Sequence, residues 1–234
     1  MSGDHLTIRA ADGSGAFDAF VALPASGHGP GVVLVQEIFG VNANMRQTAQ
    51  QYADAGFVAI VPDLFWRLEP GVELGYSEAE RAQAFALMGR FDLAKGVQDI
   101  QASLDAVRAL DACTGQAGVV GFCLGGKLAY LAACDTDSSA SVGYYGVGLE
   151  HLLDQAGRIR QPLVLHIAEE DTMCPPAARA QIVNGLAGHL QVSCHVYPGV
   201  GHAFARFQGD HYDASSAALA HECTLSVLRQ AMST

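Results

Sequence analysis

The sequence predicts an α/β fold built on a mostly parallel sheet. Two observations carry this: eight short apolar runs, and helix-like runs that separate most of them. Strand-like runs fall at about residues 5–10, 16–23, 31–36, 57–62, 117–122, 140–145, 162–168 and 190–197. Helix-like runs fall at about 43–55, 77–90, 92–110, 125–134, 175–188 and 213–231. Apolar strands that alternate with helices make a sheet covered on both faces, so a single eight-stranded sheet flanked by helices is expected. The first two strands have no helix between them. Asp12-Gly13-Ser14-Gly15 joins them with a hairpin signal, and that edge is expected to be antiparallel. With 234 residues, half of them apolar, one core suffices, and a single domain spanning 1–234 is expected. The least regular stretch, Trp66 to Tyr76, is a candidate flap over a site.

Bulk properties exclude several classes of function. A formal charge of −11 argues against nucleic acid, whose backbone demands clustered lysine and arginine. The same charge repels small anions, so an anionic substrate needs a local positive patch. Lys95 and Lys127 are the lysines, and the other basic residues are arginines, whose forked donors suit a carboxylate. Six cysteines at irregular spacing suit a reducing compartment and predict no structural disulfide. Met1 to Thr7 lacks a basic stretch leading into an apolar one, and no run is long enough to span a membrane. A cytoplasmic, monomeric protein without membrane contact is expected.

Gly121-Phe122-Cys123-Leu124-Gly125-Gly126 directly follows the apolar run ending at Val120 and directly precedes a helix-like run. A strand that reverses at once into a helix forces its turn residue into a strained conformation, and flanking glycines allow the close approach. This is a nucleophile elbow with a thiol at its apex. The side chain stands at a helix N-terminus, where oriented N–H groups favour an anion. Most free cysteines are buried and inert, and that reading is kept for Cys113, Cys134, Cys174, Cys194 and Cys223, which lack such a frame. Ligand sites in these sheets form at the carboxyl ends of strands. Cys123 passes that test. Glu169-Glu170-Asp171 follows the run 162–168, and position alone leaves the three carboxylates in competition. His202 follows the run 190–197 in a glycine-bounded loop, whereas His166 lies inside a strand and reads as a hydrogen-bonded core residue. Nucleophile, acid, histidine is the chain order of α/β-hydrolases, and a thiol needs a base that a third group orients. No H-E-x-x-H or paired C-x-x-C occurs, so no metal is expected.

With those residues in place, the chain resembles the dienelactone hydrolase family of α/β-hydrolases. The likeness runs from about residue 31 onward. Its strings are Gln36-Glu37-Ile38-Phe39-Gly40-Val41-Asn42, Val61-Pro62-Asp63-Leu64, the elbow, Gly143-Tyr144-Tyr145-Gly146-Val147-Gly148 and Gly201-His202-Ala203-Phe204-Ala205-Arg206. The resemblance selects Asp171 as the acid, because the family's acid stands a few residues before a proline, as Asp171 does before Pro175. It implies that Glu37 lies beside the thiol and holds it neutral until substrate arrives, since a nearby carboxylate disfavours a second anion. It implies an oxyanion hole from the backbone N–H groups of Leu124 and Ile38, and a substrate-binding set of Arg81, Arg206 and Phe85. Phe85 stands where the family carries a tyrosine, and Ala203 where a serine is common. Members hydrolyse dienelactone, a carboxylated enol lactone, to maleylacetate without a cofactor, so a small anionic lactone is the expected partner. The alternatives are a broader carboxylesterase or thioesterase of the same fold and, from another class, a redox-sensing or glyoxal-processing cysteine-elbow protein. A non-catalytic binding module is the remaining reading.

Overall fold

In a computed structural model that describes residues 4–233, the eight strands and six α-helices alternate as the apolar periodicity implies. The residues cluster into two compact units that meet in sequence between Val119 and Val120. In the first unit, β1 (Asp4–Arg9), β2 (Ala16–Ala22), β3 (Gly29–Val35) and β4 (Val58–Pro62) lie in the order β1-β2-β4-β3. β1 and β2 pair antiparallel with Asp4 opposite Val21 and Arg9 opposite Ala16. β2 is also antiparallel to β4, while β3 and β4 are parallel. The hairpin forms as its residues dictate: Gly13 takes φ 72, and Ala10 N–H donates to Gly15 O at 3.0 Å.

Every residue of β4 and nearly every residue of β3 is buried, which is why both read as unbroken apolar runs. Three helices accompany them: α1 (Ala43–Asp54), α2 (Glu78–Arg90) and α3 (Leu93–Arg108). Each starts on a side chain that satisfies an orphan N–H of the first turn: Asn42, Ser77 and Asp92. Ser77 and Glu80 complete a capping box.

The stretch 66–76 is irregular but firmly held. Arg67 grips Asp99 of α3 with Nε at 3.0 Å and Nη2 at 2.8 Å, and Trp66 Nε1 donates to the same carboxylate at 2.9 Å. Arg67 also lies over the Trp66 ring, 4.3 Å from its centroid, and reaches Asp12 of the hairpin at 2.9 Å. Further along, Val41 N–H donates to Val72 O and Leu74 N–H to Phe39 O. A Cβ on Gly40 would stand 1.8 Å from Val72 O, so this close approach requires glycine. Side-chain and backbone hydrogen bonds replace regular secondary structure in this stretch.

β5 (Cys113–Phe122) runs across the boundary. It begins four residues before the apolar run, because Cys113 to Gln116 are not fully buried and carry no apolar signal. The second unit continues with α4 (Leu124–Asp135), β6 (Ser141–Tyr144), two 3₁₀ turns at Leu149–His151 and Leu153–Arg158, β7 (Leu163–Ala168), α5 (Pro176–Leu186), β8 (Val192–Tyr197) and α6 (Ala214–Ala231). β6, β7 and β8 are parallel neighbours, with Tyr144 opposite His166 and His166 opposite His195. Among the described residues no helix is long and apolar enough to cross a membrane.

Candidate active site

β5 ends in the buried run Val119 to Phe122, and Cys123 then takes φ 57 and ψ −111 before α4 starts at Leu124. For a non-glycine residue this backbone costs about 1–3 kcal/mol and persists only where its surroundings enforce it. They do so on both sides. Cys123 N–H donates to Tyr144 O at 3.0 Å, and Cys123 O accepts from Lys127 N–H at 3.1 Å. A Cβ on Gly121 would lie 1.9 Å from Gly125 O, and one on Gly126 would lie 2.5 Å from Tyr144 O. The glycines of the motif are thus required by backbone passing backbone. The thiol is left at the N-terminal end of a twelve-residue helix, where the N–H dipoles favour negative charge.

His202 and Asp171 come from the loops after β8 and β7. His202 Nδ1 stands 2.7 Å from Asp171 Oδ2, and Met173 N–H holds Asp171 Oδ1 at 2.8 Å. Both carboxylate oxygens are therefore occupied, with the side chain buried. Glu169 and Glu170 are exposed. Glu169 instead accepts Gly199 N–H at 3.1 Å, and Glu170 N–H donates to Val200 O at 2.9 Å, so these two residues stitch the acid loop to the histidine loop. Since Nδ1 gives its proton to Asp171, Nε2 is left for the hydrogen bond that His202 makes with Cys123.

Burial works against a charge on His202. Hydrogen bonds to Asp171 and Cys123, together with their charges, outweigh it and raise its pKa to about 10. The shift favours the imidazolium beside the thiol. Tyr145 packs edge-on to the His202 ring at a centroid distance of 5.1 Å, and Phe204 packs on Tyr145 at 5.6 Å. Tyr145 has φ 37. Sequence reasoning gave it no role, although it lies within the Gly143 to Gly148 string. Ala203 follows with φ 64, buried, its carbonyl accepting from Arg206 N–H at 2.9 Å. Arg206 is half-buried in this loop.

The remaining cysteines of this unit differ in character. Burial pushes Cys134 and Cys194 up to about 11, and burial with the charge of Asp171 does the same to Cys174. Burial also raises Cys223. All four stay neutral thiols near pH 7.

In the other unit, Glu37 and Ile38 are buried directly after β3. Gln36 Oε1 accepts Leu64 N–H at 3.1 Å and ties the end of β3 to the residues after β4. Arg81 and Phe85 are one turn apart on α2, both exposed. Arg81 Nε donates to Tyr76 O at 2.8 Å, and Tyr76 packs edge-on against Phe39 at 4.8 Å. Arg81 and the Glu37–Phe39 loop are thereby linked through one residue. Among the described residues no group of three His, Cys, Asp or Glu side chains is placed to hold a metal ion.

The chain is 39% identical over 229 residues to the carboxymethylenebutenolidase of Pseudomonas putida, covering 97% of both chains. It is 37% identical to carboxymethylenebutenolidase 1 of Cupriavidus pinatubonensis, again with 97% of each covered. Among solved structures, a dienelactone hydrolase-like promiscuous phosphotriesterase from metagenomic libraries superposes with a TM-score of 0.79 at 21% identity, covering 98% of this chain and 99% of that one. The shared architecture is the α/β-hydrolase fold. The model of the dienelactone hydrolase family matches residues 17–232, and the chain belongs to that family of ester and lactone hydrolases.

Proposed function

We propose that this enzyme opens carboxylated enol lactones through a thioester on Cys123. The observation that carries the reading is the 2.7 Å pair of His202 and Asp171, hydrogen-bonded to a thiol held at a positive-φ elbow. Cys123, as the thiolate paired with the His202 imidazolium, attacks the lactone carbonyl carbon, whose oxygen takes up the negative charge. The Leu124 N–H at the start of α4 donates to that oxyanion. The family resemblance gives the second donor to Ile38. Collapse of the tetrahedral intermediate breaks the ring C–O bond and releases an enol oxygen, a far better leaving group than an alkoxide. The His202 imidazolium gives it the proton. The imidazole, now neutral, takes a proton from water, the hydroxide adds to the thioester, and the C–S bond breaks to return Cys123.

On a surface of net charge −11 an anionic substrate needs cationic partners, and Arg206 and Arg81 are assigned that task. Phe85, one turn from Arg81, contributes an apolar face where the family has a hydroxyl. Glu37 is assigned the control of the resting thiol on the resemblance alone.

The test is kcat/KM for a carboxylated enol lactone and for a neutral aryl ester in the wild type and Arg206→Ala. The variant should lose about 2–4 kcal/mol of transition-state binding on the charged lactone, the scale of a charge-assisted contact, and much less on the neutral ester. Equal losses reject the anionic lactone and favour a general esterase.

A further inference from the structure

His166 lies in the middle of β7 with its side chain wholly buried, and the triad does not use it. Both ring nitrogens are engaged: Nδ1 lies 2.9 Å from Tyr197 Oη, and Nε2 lies 3.0 Å from Thr224 Oγ1 on α6. Thr224 Oγ1 donates to Ala220 O at 2.9 Å and lies 2.7 Å from Tyr144 Oη. These contacts fix every proton. Because the threonine proton goes to Ala220, Oγ1 must accept from both His166 Nε2–H and Tyr144 O–H, and Nδ1 then accepts from Tyr197 O–H. The tyrosine 144 ring also packs on the imidazole at 4.5 Å.

Each arm of this network ends at the catalytic loops. Tyr144 O receives the N–H of Cys123, Tyr197 O receives the N–H of Glu169 two residues before Asp171, and His166 O receives the N–H of Tyr145, whose ring backs His202. One buried cluster therefore fixes three residues whose backbones hold the nucleophile, the acid loop and the aromatic wall of the base.

We infer that Thr224 and His166 form a buried positioning hub that sets the relative placement of Cys123, His202 and Asp171, with Thr224 Oγ1 as its centre. The inference rests on the reading of those three residues as the working triad. The alternative is a merely structural network, since a buried polar group without its partner destabilises the fold whatever it lies beside. A readout that stability does not move is therefore needed. The thiol–imidazole pairing is that readout, because sub-ångström displacement weakens it while the fold persists.

The experiment is the pH profile of Cys123 alkylation by iodoacetamide, without substrate, in the wild type, Thr224→Val and Thr224→Ser. Valine keeps the volume and deletes the shared acceptor, while serine restores it. Thr224→Val should move the alkylation midpoint to higher pH by at least about half a unit. It should lower kcat for the lactone about tenfold with KM nearly unchanged. Thr224→Ser should restore both. A lower melting temperature with an unmoved profile overturns the hub. If Thr224→Val does not fold, Tyr197→Phe, which removes one hydroxyl and keeps the ring, carries the same readout with a smaller shift, and an unmoved profile there has the same force. A wild type inert toward lactones whose alkylation still depends on Thr224 contradicts the substrate reading and supports the hub.

Discussion

Acid should destabilise this protein through His166 well before its carboxylates protonate. Burial, then the neighbouring His195, push the His166 pKa from an ordinary 6.5 down to about 3. Between those values the unfolded chain binds a proton that the folded chain refuses. Stability therefore rises with pH across the window, and falls on acidification from about 6.5 toward about 3. The interval from pH 6.5 to 5.0 isolates the effect, because most aspartates and glutamates remain ionised there. With a folded pKa far below the interval, the loss is RT times the logarithm of the change in unfolded-state proton binding, about 1.6 kcal/mol. Urea unfolding at the two pH values, for the wild type and for His166→Asn, measures it. The asparagine cannot titrate, and other groups such as His221, whose pKa burial also lowers, cancel between the two proteins. The variant should be the less stable at pH 6.5, and the gap should narrow by about 1.6 kcal/mol at pH 5.0. Stability lines that stay parallel would refute the buried neutral imidazole and the proton order of the network around it.

Three further outcomes are expected. Asp171→Asn should cost about a thousandfold in kcat: Met173 N–H keeps the amide oxygen, so the amide NH2 faces His202 Nδ1 and drives the proton onto the nitrogen that faces Cys123, as steady-state rates and the NMR tautomer of His202 will show. Glu37→Gln should speed Cys123 alkylation near neutral pH if the carboxylate disfavours the thiolate, and superimposable profiles remove that gating role. Asp99→Ala should cost about 3 kcal/mol in urea unfolding, because it strands the Arg67 guanidinium and the Trp66 N–H that now share one buried carboxylate; a loss under about 1 kcal/mol would show that the stretch after β4 is held by something else.

The fold was legible because its signals are local. Apolar runs, caps such as Ser77 with Glu80, and the Asp12–Gly15 hairpin each lie within a few residues, and the observed element ends differ from the expected ones by little except at the exposed start of β5. The two 3₁₀ turns between β6 and β7 went unread, as turns this short have no periodicity to detect. The elbow was legible for the same local reason: backbone crossing backbone demands glycine, and glycine is visible in a sequence. The choice among Glu169, Glu170 and Asp171 was not. All three follow one strand, so position left them in competition; the resemblance chose Asp171 through Pro175, and in the structure burial and a partner 31 residues away set it apart. Asp99 and Thr224 carry no local signal at all. One looks like a helix carboxylate and the other like a helix threonine, and each acquires meaning from partners 32 and 58 residues distant.

The central claim is a covalent thioester on Cys123, and intact-protein mass spectrometry of an acid-quenched single turnover tests it most directly. Opening a lactone expels no fragment, so the enzyme should gain the whole mass of a carboxylated enol lactone, localised by peptide mapping to Cys123 and absent from Cys123→Ala. Cys174, held as a neutral thiol by burial and by the Asp171 charge, should carry none of it. Turnover of the lactone at the wild-type rate by Cys123→Ala, or an adduct on any residue other than Cys123, would contradict the account.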